Sequence, residues 1–173
     1  MKKAMFTLIF SIALIACNKN DDDGGTIDPI SQLPPETMTG ENTFGFLLNG
    51  EPINATNTNN LVAIYQRGLL QFGGGIAINQ EDISVSITLE DLIEINTIYN
   101  LSDFPRYTAK LRKRKPNLIC DYTITETYQG SVAFTRIDRV NYIISGTFEF
   151  STTNENCGDV DITEGRFDLQ YIP

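Results

Sequence analysis

VNYIISGTFEF (residues 140–150) places Tyr142, Ile144, Gly146, Phe148 and Phe150 on one side of an extended chain, with Ser145, Thr147 and Glu149 on the other. Alternation with a period of two marks a strand with one dry and one wet face. The glycine removes a side chain from the apolar row, so a bulge or bend is expected at Gly146. The same period recurs in ISVSITL (83–89), LICDYTITE (118–126) and RFDLQY (166–171). Shorter runs at 43–49, 61–66, 69–72, 76–79 and 131–137 bring the strand candidates to about nine. Asn49-Gly50, Arg67-Gly68, Asn79 to Asp82 and Glu164-Gly165 supply turn signals. Only LEDLIEINTIYNL (89–101) competes as a helix, and Ile95, Ile98 and Tyr99 support one poorly. The class is all-β: a single antiparallel β-sandwich over residues 41–173, with a partly closed β-barrel as the alternative.

Ahead of this domain the composition changes twice. Met1 to Lys3 carry positive charge, and Ala4 to Ala16 are apolar apart from Thr7 and Ser11. That run is too short for a permanent transmembrane helix, which needs about 20 apolar residues, and fits the apolar core of an export signal. LIAC (14–17) then resembles the signal that marks bacterial lipoproteins, in which the cysteine is acylated and becomes the first residue of the mature chain. Residues 1–16 are thus read as signal peptide and Cys17 as the lipidation site. Asp21, Asp22 and Asp23 resemble the short acidic signal that, in the Bacteroidota, sends lipoproteins to the cell surface. Residues 17–40, rich in Asp, Gly, Pro, Ser and Thr, are expected to be a disordered tether. The expected location is the outer membrane facing the exterior, with its periplasmic face as the alternative.

Two blocks carry a wider resemblance: LPPETMTGENTFGFLLNG (33–50) and ISGTFEFSTTNENCGDVDITEGRFDLQY (144–171). Together they resemble a family of small lipoproteins of Flavobacteria and other Bacteroidota that carry a domain of unknown function. The resemblance implies an exported, lipid-anchored β domain and assigns no activity. Such proteins often carry a cysteine directly after TFG, where this chain has Phe46.

The formal charge is −9, and removal of Lys2 and Lys3 with the signal leaves −11. This disfavours nucleic acid and anionic headgroups as long-range partners, so attachment to a membrane is assigned to the N-terminal lipid. There is no histidine, which excludes a histidine base, a histidine-assisted nucleophile and a histidine-rich zinc site. The class expected is a non-catalytic binding, accessory or structural module rather than an enzyme, with an outer-membrane protein or a glycan as partner. Glycoside hydrolysis is the catalytic alternative, through a pair drawn from Glu90, Asp91, Glu94, Glu149, Asp159, Asp161 and Glu164. It needs two carboxyls opposed across a cleft by about 5 to 9.5 Å. For glycan contact the candidates are Tyr65, Tyr99, Tyr107 and Tyr128.

No cofactor is expected. Calcium is the weaker alternative, at Asn154, Glu155, Asn156, Asp159 and Asp161, although Val160 and Ile162 read as the buried alternates of a strand whose wet face those aspartates occupy. KLRKRKP (110–116) is a basic island in the acidic chain. Lys110, Arg112, Lys113, Arg114 and Lys115 are the candidate charged contact surface; the bland reading is a solvent-exposed hairpin or an edge strand guarded by its lysines. With Cys17 acylated, Cys120 and Cys157 remain, and export favours a disulfide between them over two separate buried thiols.

Overall fold

In the computed structural model the described residues are 27–173, except residue 57 and residues 124–126. Cys17 and Asp21, Asp22 and Asp23 lie outside the described residues. The strands, in chain order, are β1 (Thr43–Leu48), β2 (Glu51–Ala55), β3 (Leu61–Gln66), β4 (Leu69–Ile78), β5 (Glu81–Glu90), β6 (Ile98–Asn100), β7 (Tyr107–Lys115), β8 (Leu118–Tyr122), β9 (Thr127–Asp138), β10 (Ile143–Asn154) and β11 (Gly158–Gln170). They form two antiparallel sheets, β2-β1-β11-β10-β9-β6 and β3-β4-β5-β7-β8, packed as a sandwich and not closed into a barrel.

The alternating residues meet between the sheets. Phe44, Phe46, Phe148 and Phe167 from the larger sheet and Phe72, Ile87 and Leu111 from the smaller one belong to one buried cluster. Phe44 stacks on Phe148 with centroids 5.0 Å apart, and Phe72 crosses Phe167 at 4.5 Å. Phe46 is fully buried, so the site where the resembling proteins carry a cysteine is filled here by a core aromatic ring. Val160 and Ile162 are buried, as their register predicts.

A bulge does sit beside Gly146, but on the neighbouring strand: β10 is continuous from Ser145 to Gly146, while their partners Arg136 and Phe134 leave Thr135 of β9 as the extra residue. A Cβ on Gly146 would lie 2.0 Å from the Ala133 carbonyl oxygen, closer than any side chain permits. Asn49-Gly50 and Arg67-Gly68 are tight hairpin turns with both residues at positive φ. Glu164-Gly165 is not a turn. Glu164 has φ 52°, but β11 runs on through it, and its pairing with β10 slips there, so the signal belongs to a bulge. Residues 69–72 and 76–79 are not separate strands, because β4 pairs with β5 continuously from Leu69 to Ile78 across Gly73 to Gly75. Residues 89–101 are the end of β5, a loop and β6; β6 pairs with β9 and buries Tyr99.

Both open sides of the sandwich are fastened. On one side, the chain after β11 leaves its sheet and joins β3 of the other, where Ile172 N–H donates to the Ala63 carbonyl and Tyr65 N–H donates to the Ile172 carbonyl. On the other, Cys120 of β8 is disulfide-bonded to Cys157 in the β10–β11 turn, with Cα atoms 6.0 Å apart. The Asn154 amide donates to the Asp121 carbonyl beside it, and the Tyr122 hydroxyl donates to the Cys157 carbonyl.

The stretch before β1 departs most from expectation. Residues 28–41, assigned almost entirely to a disordered tether, lie across the outer face of the larger sheet as a strap. A 3-10 turn at Pro29–Gln32 starts it, with the Asp28 side chain accepting from Ile30 N–H. Gln32 accepts from the Asn54 amide, Pro34 lies over Gly45 where a Cβ would stand 2.5 Å from its ring, and Leu33 is buried. Arg136 reaches the Met38 carbonyl.

The strap ends on Asp168, 1% exposed. Its carboxylate accepts from the Thr37 hydroxyl at 2.7 Å, the N–H groups of Thr39, Gly40 and Glu41 at 3.0, 2.9 and 3.1 Å, and the Ser145 hydroxyl at 2.7 Å. Burial pushes the Asp168 pKa up, but the bonds from Glu41 N–H, the Ser145 and Thr37 hydroxyls and Gly40 N–H outweigh it and hold the group below the ordinary carboxylate value.

Two predictions follow from these fastenings. Replacing both Cys120 and Cys157 with alanine opens a loop of sequence separation 37. Equilibrium urea unfolding should then show a loss of about 3 to 4 kcal/mol, by the loop-entropy relation. Asp168→Asn puts an amide NH2 among donors and should cost at least about 3 kcal/mol while exposing the strap to proteolysis. Because the folded pKa of Asp168 lies below the unfolded value of about 3.9, its contribution is present above that value and is lost as pH falls through the folded one. The stability gap between wild type and Asp168→Asn should therefore narrow on acidification below about pH 4.

Candidate functional site

The basic island forms most of β7, which is an interior strand. It pairs with β5 on one side and β8 on the other, so the edge-strand reading is corrected: β8, tied down by the disulfide, is the edge. Ala109 and Leu111 point into the core. Lys110, Arg112 and Arg114 take the opposite register and stand on the outer face of the smaller sheet, opposite Ser86, Ser84 and Asp82 of β5. Lys113 and Lys115 follow the inward register beyond Leu111, at the open end of the strand.

Two of the five cations are paired: Arg112 with Asp121 of β8, and Lys115 with Glu81 of β5 at 3.2 Å. Among the described residues no carboxylate lies within ion-pair distance of Lys110, Lys113 or Arg114. The floor beside this row is low, with Gly73 and Gly75 of β4 paired to Ser86 and Ser84.

The tyrosine candidates do different work. Tyr107 donates to the Asp91 carboxylate at 2.7 Å, Tyr99 accepts from Glu94 N–H at 2.7 Å, and Tyr65 accepts from Ile93 N–H at 3.3 Å. Together they fasten the loop between β5 and β6. The Tyr107 bond, then the Leu92 N–H, lowers the Asp91 pKa, and the same bond raises that of Tyr107. Tyr128 alone of the four is exposed.

The carboxylate candidates are dispersed. Asp159 accepts from Thr153 and Asp161 from Ser151, each across the β10–β11 pair. Asn154 turns to the backbone of β8 and of its own loop, and no group of three Cys, Asp or Glu among the described residues gathers as a metal site. Glu149 and Glu164 do line one depression of about 380 Å³ on the outer face of the larger sheet, with Glu36, Arg166, Ser131, Thr147 and Ile98. Sequence reasoning missed this site because Glu36 of the strap forms one wall. Arg166 is mostly buried there, its guanidinium 3.6 Å from Glu164 and in weak contact with the Pro34 carbonyl.

No family model matches this chain, and no curated protein or solved structure is significantly similar to it.

The Arg112–Asp121 pair is exposed on both sides, 43% and 44%, so it contributes little to folding. Asp121→Asn should change stability by less than about 1 kcal/mol in urea unfolding. The same substitution frees Arg112 between Lys110 and Arg114 and should strengthen retention on an anionic matrix at low salt.

Proposed function

We propose that this chain is an outer-membrane lipoprotein, anchored through acylated Cys17 with Asp21, Asp22 and Asp23 as its surface-export signal. Its β-sandwich serves as a non-catalytic binding module facing the cell exterior. On this reading it is one of the small Bacteroidota lipoproteins its sequence resembles. The observation that carries the binding reading is the row on the outer face of β7: Lys110, Arg112 and Arg114 stand on a rigid interior strand, and Lys110 and Arg114 have no ion-pair partner among the described residues, in a chain whose charge is otherwise strongly negative. Interior strands hold side chains to fixed spacing, and alternate residues repeat at about 7 Å, so the row presents an ordered array to an anionic partner.

A glycan-binding module is the second reading. It is favoured by the depression over Ser131, Thr147, Glu149 and Arg166, whose hydroxyl, carboxylate and guanidinium groups suit sugar hydroxyls.

Metabolic labelling with palmitate should tag the wild type and fail for Cys17→Ser. Protease added to intact cells should remove the domain of the wild type. Survival comparable to that of a periplasmic marker would defeat the surface assignment, and absence of label would defeat lipidation.

A further inference from the structure

The partner of the basic row can be named from what stands beside it. The β4–β5 and β7–β8 hairpins end side by side, joined by the Lys115–Glu81 ion pair. Between and around their tips lies an open depression of about 670 Å³, lined by Gln80, Asp82, Arg114, Lys115, Pro116 and Leu118 among others. Three large aliphatic side chains project from these same tips: Ile78 is 52% exposed, Leu118 50% and Ile119 59%. Cations and aliphatics thus share one rim.

We infer that this end of the sandwich docks on a phosphate-bearing lipid surface. Ile78, Leu118 and Ile119 enter the boundary between headgroups and acyl chains, and Lys110, Lys113, Arg114 and Lys115 lie against the phosphates. The inference rests on the proposed binding role of the β7 row and gives that row its partner.

Three observations favour lipid over an acidic protein. Leu118 and Ile119 line the open depression and Ile78 is exposed at the neighbouring hairpin, so a layer that can deform into the opening receives all three. Lysine and arginine keep their charge at headgroup level while their stems lie along apolar surface, so a mixed rim of this kind matches a membrane interface. The reach of the anchor also fits. Asp28 already caps the 3-10 turn that begins the strap. Ten residues, 18–27, separate it from Cys17, and at most ~40 Å of chain can span them, so the domain is kept beside the bilayer.

The charge balance is local: five cations on β7 stand against Glu81, Asp82 and Asp121 on the strands paired with it, in a chain whose charge is otherwise strongly negative. Screening confines the effect to contact distance, about 8 Å at physiological ionic strength.

The test uses the acylated full protein in vesicles. Because Cys120 and Cys157 are bonded to each other, one added cysteine takes a thiol-reactive fluorophore selectively. Asn117→Cys reports on the hairpin tip, and Val140→Cys, in the β9–β10 turn at the opposite end of β9 and β10, is the control. In vesicles of phosphatidylethanolamine and phosphatidylglycerol with brominated acyl chains, the label at 117 should be quenched and the label at 140 should not. Quenching at 117 should be lost in ~1 M salt, where screening reaches about 3 Å, and when Lys110, Lys113 and Arg114 are all changed to glutamine.

An Ile119→Ser variant at an exposed position should lower the quenching and leave the melting temperature unchanged, which keeps the test decisive if the triple variant folds poorly. Equal quenching at both positions, or none at 117, overturns the inference. If 117 is unquenched in vesicles yet the row captures an acidic protein on intact cells, the binding role of β7 stands and the lipid assignment falls. Failure of both removes the role of the row as well.

Discussion

A carboxylate sealed under main chain is a demanding thing to build, and much of the larger sheet is arranged around one. Asp168 stands in the wet register of β11, where a strand side chain would ordinarily meet water. Here the strap removes that water and replaces it with three backbone N–H groups and two hydroxyls. Buried charge without such partners would be strongly destabilising, so the strap and the aspartate require each other. The same arrangement explains why Ser145, on the outer face of β10, is fully buried.

The strap also fixes what is exposed. It covers the outer face of the larger sheet from Asn54 of β2 to Arg136 of β9, leaving the part around Ile98, Ser131 and Glu149 open. The smaller sheet has no such cover among the described residues, and there the charges of β7 meet solvent. Rigidity on that side comes from the disulfide on β8 and the C-terminal residues on β3. Both connect the two sheets, so neither can shift against the other without breaking covalent or main-chain bonds.

Fold class was legible in the sequence because alternation is a local signal that burial reads directly: Ile83, Val85, Ile87 and Leu89 need no distant partner to declare their side. The strap was not legible. Its prolines, threonines and glycine form no apolar stripe, and what orders them is a side chain 127 to 131 positions away. RFDLQY displays Asp168 as one more wet residue. A similar limit governed the turns, since Glu164-Gly165 and Arg67-Gly68 are the same kind of signal in the sequence, yet Arg67 and Gly68 both take positive φ in a hairpin while only Glu164 does so, in a bulge through which β11 continues. Of the candidate site, the run of cations was plain in the sequence. Which of them are neutralised depended on Asp121 and Glu81, brought alongside by pairing that composition does not reveal.

The pairing of β1 with β11 carries one further consequence, for the order in which the molecule comes into being. A ribosome delivers β1 and the strap first and β11 last, so the early part of the larger sheet has no permanent neighbour until nearly the whole chain has emerged. β1 and β2 alone are a two-stranded hairpin, marginal in water. Contacts of such long range are slow to form, so the larger sheet closes later than the smaller one, whose strands pair with near neighbours in the chain.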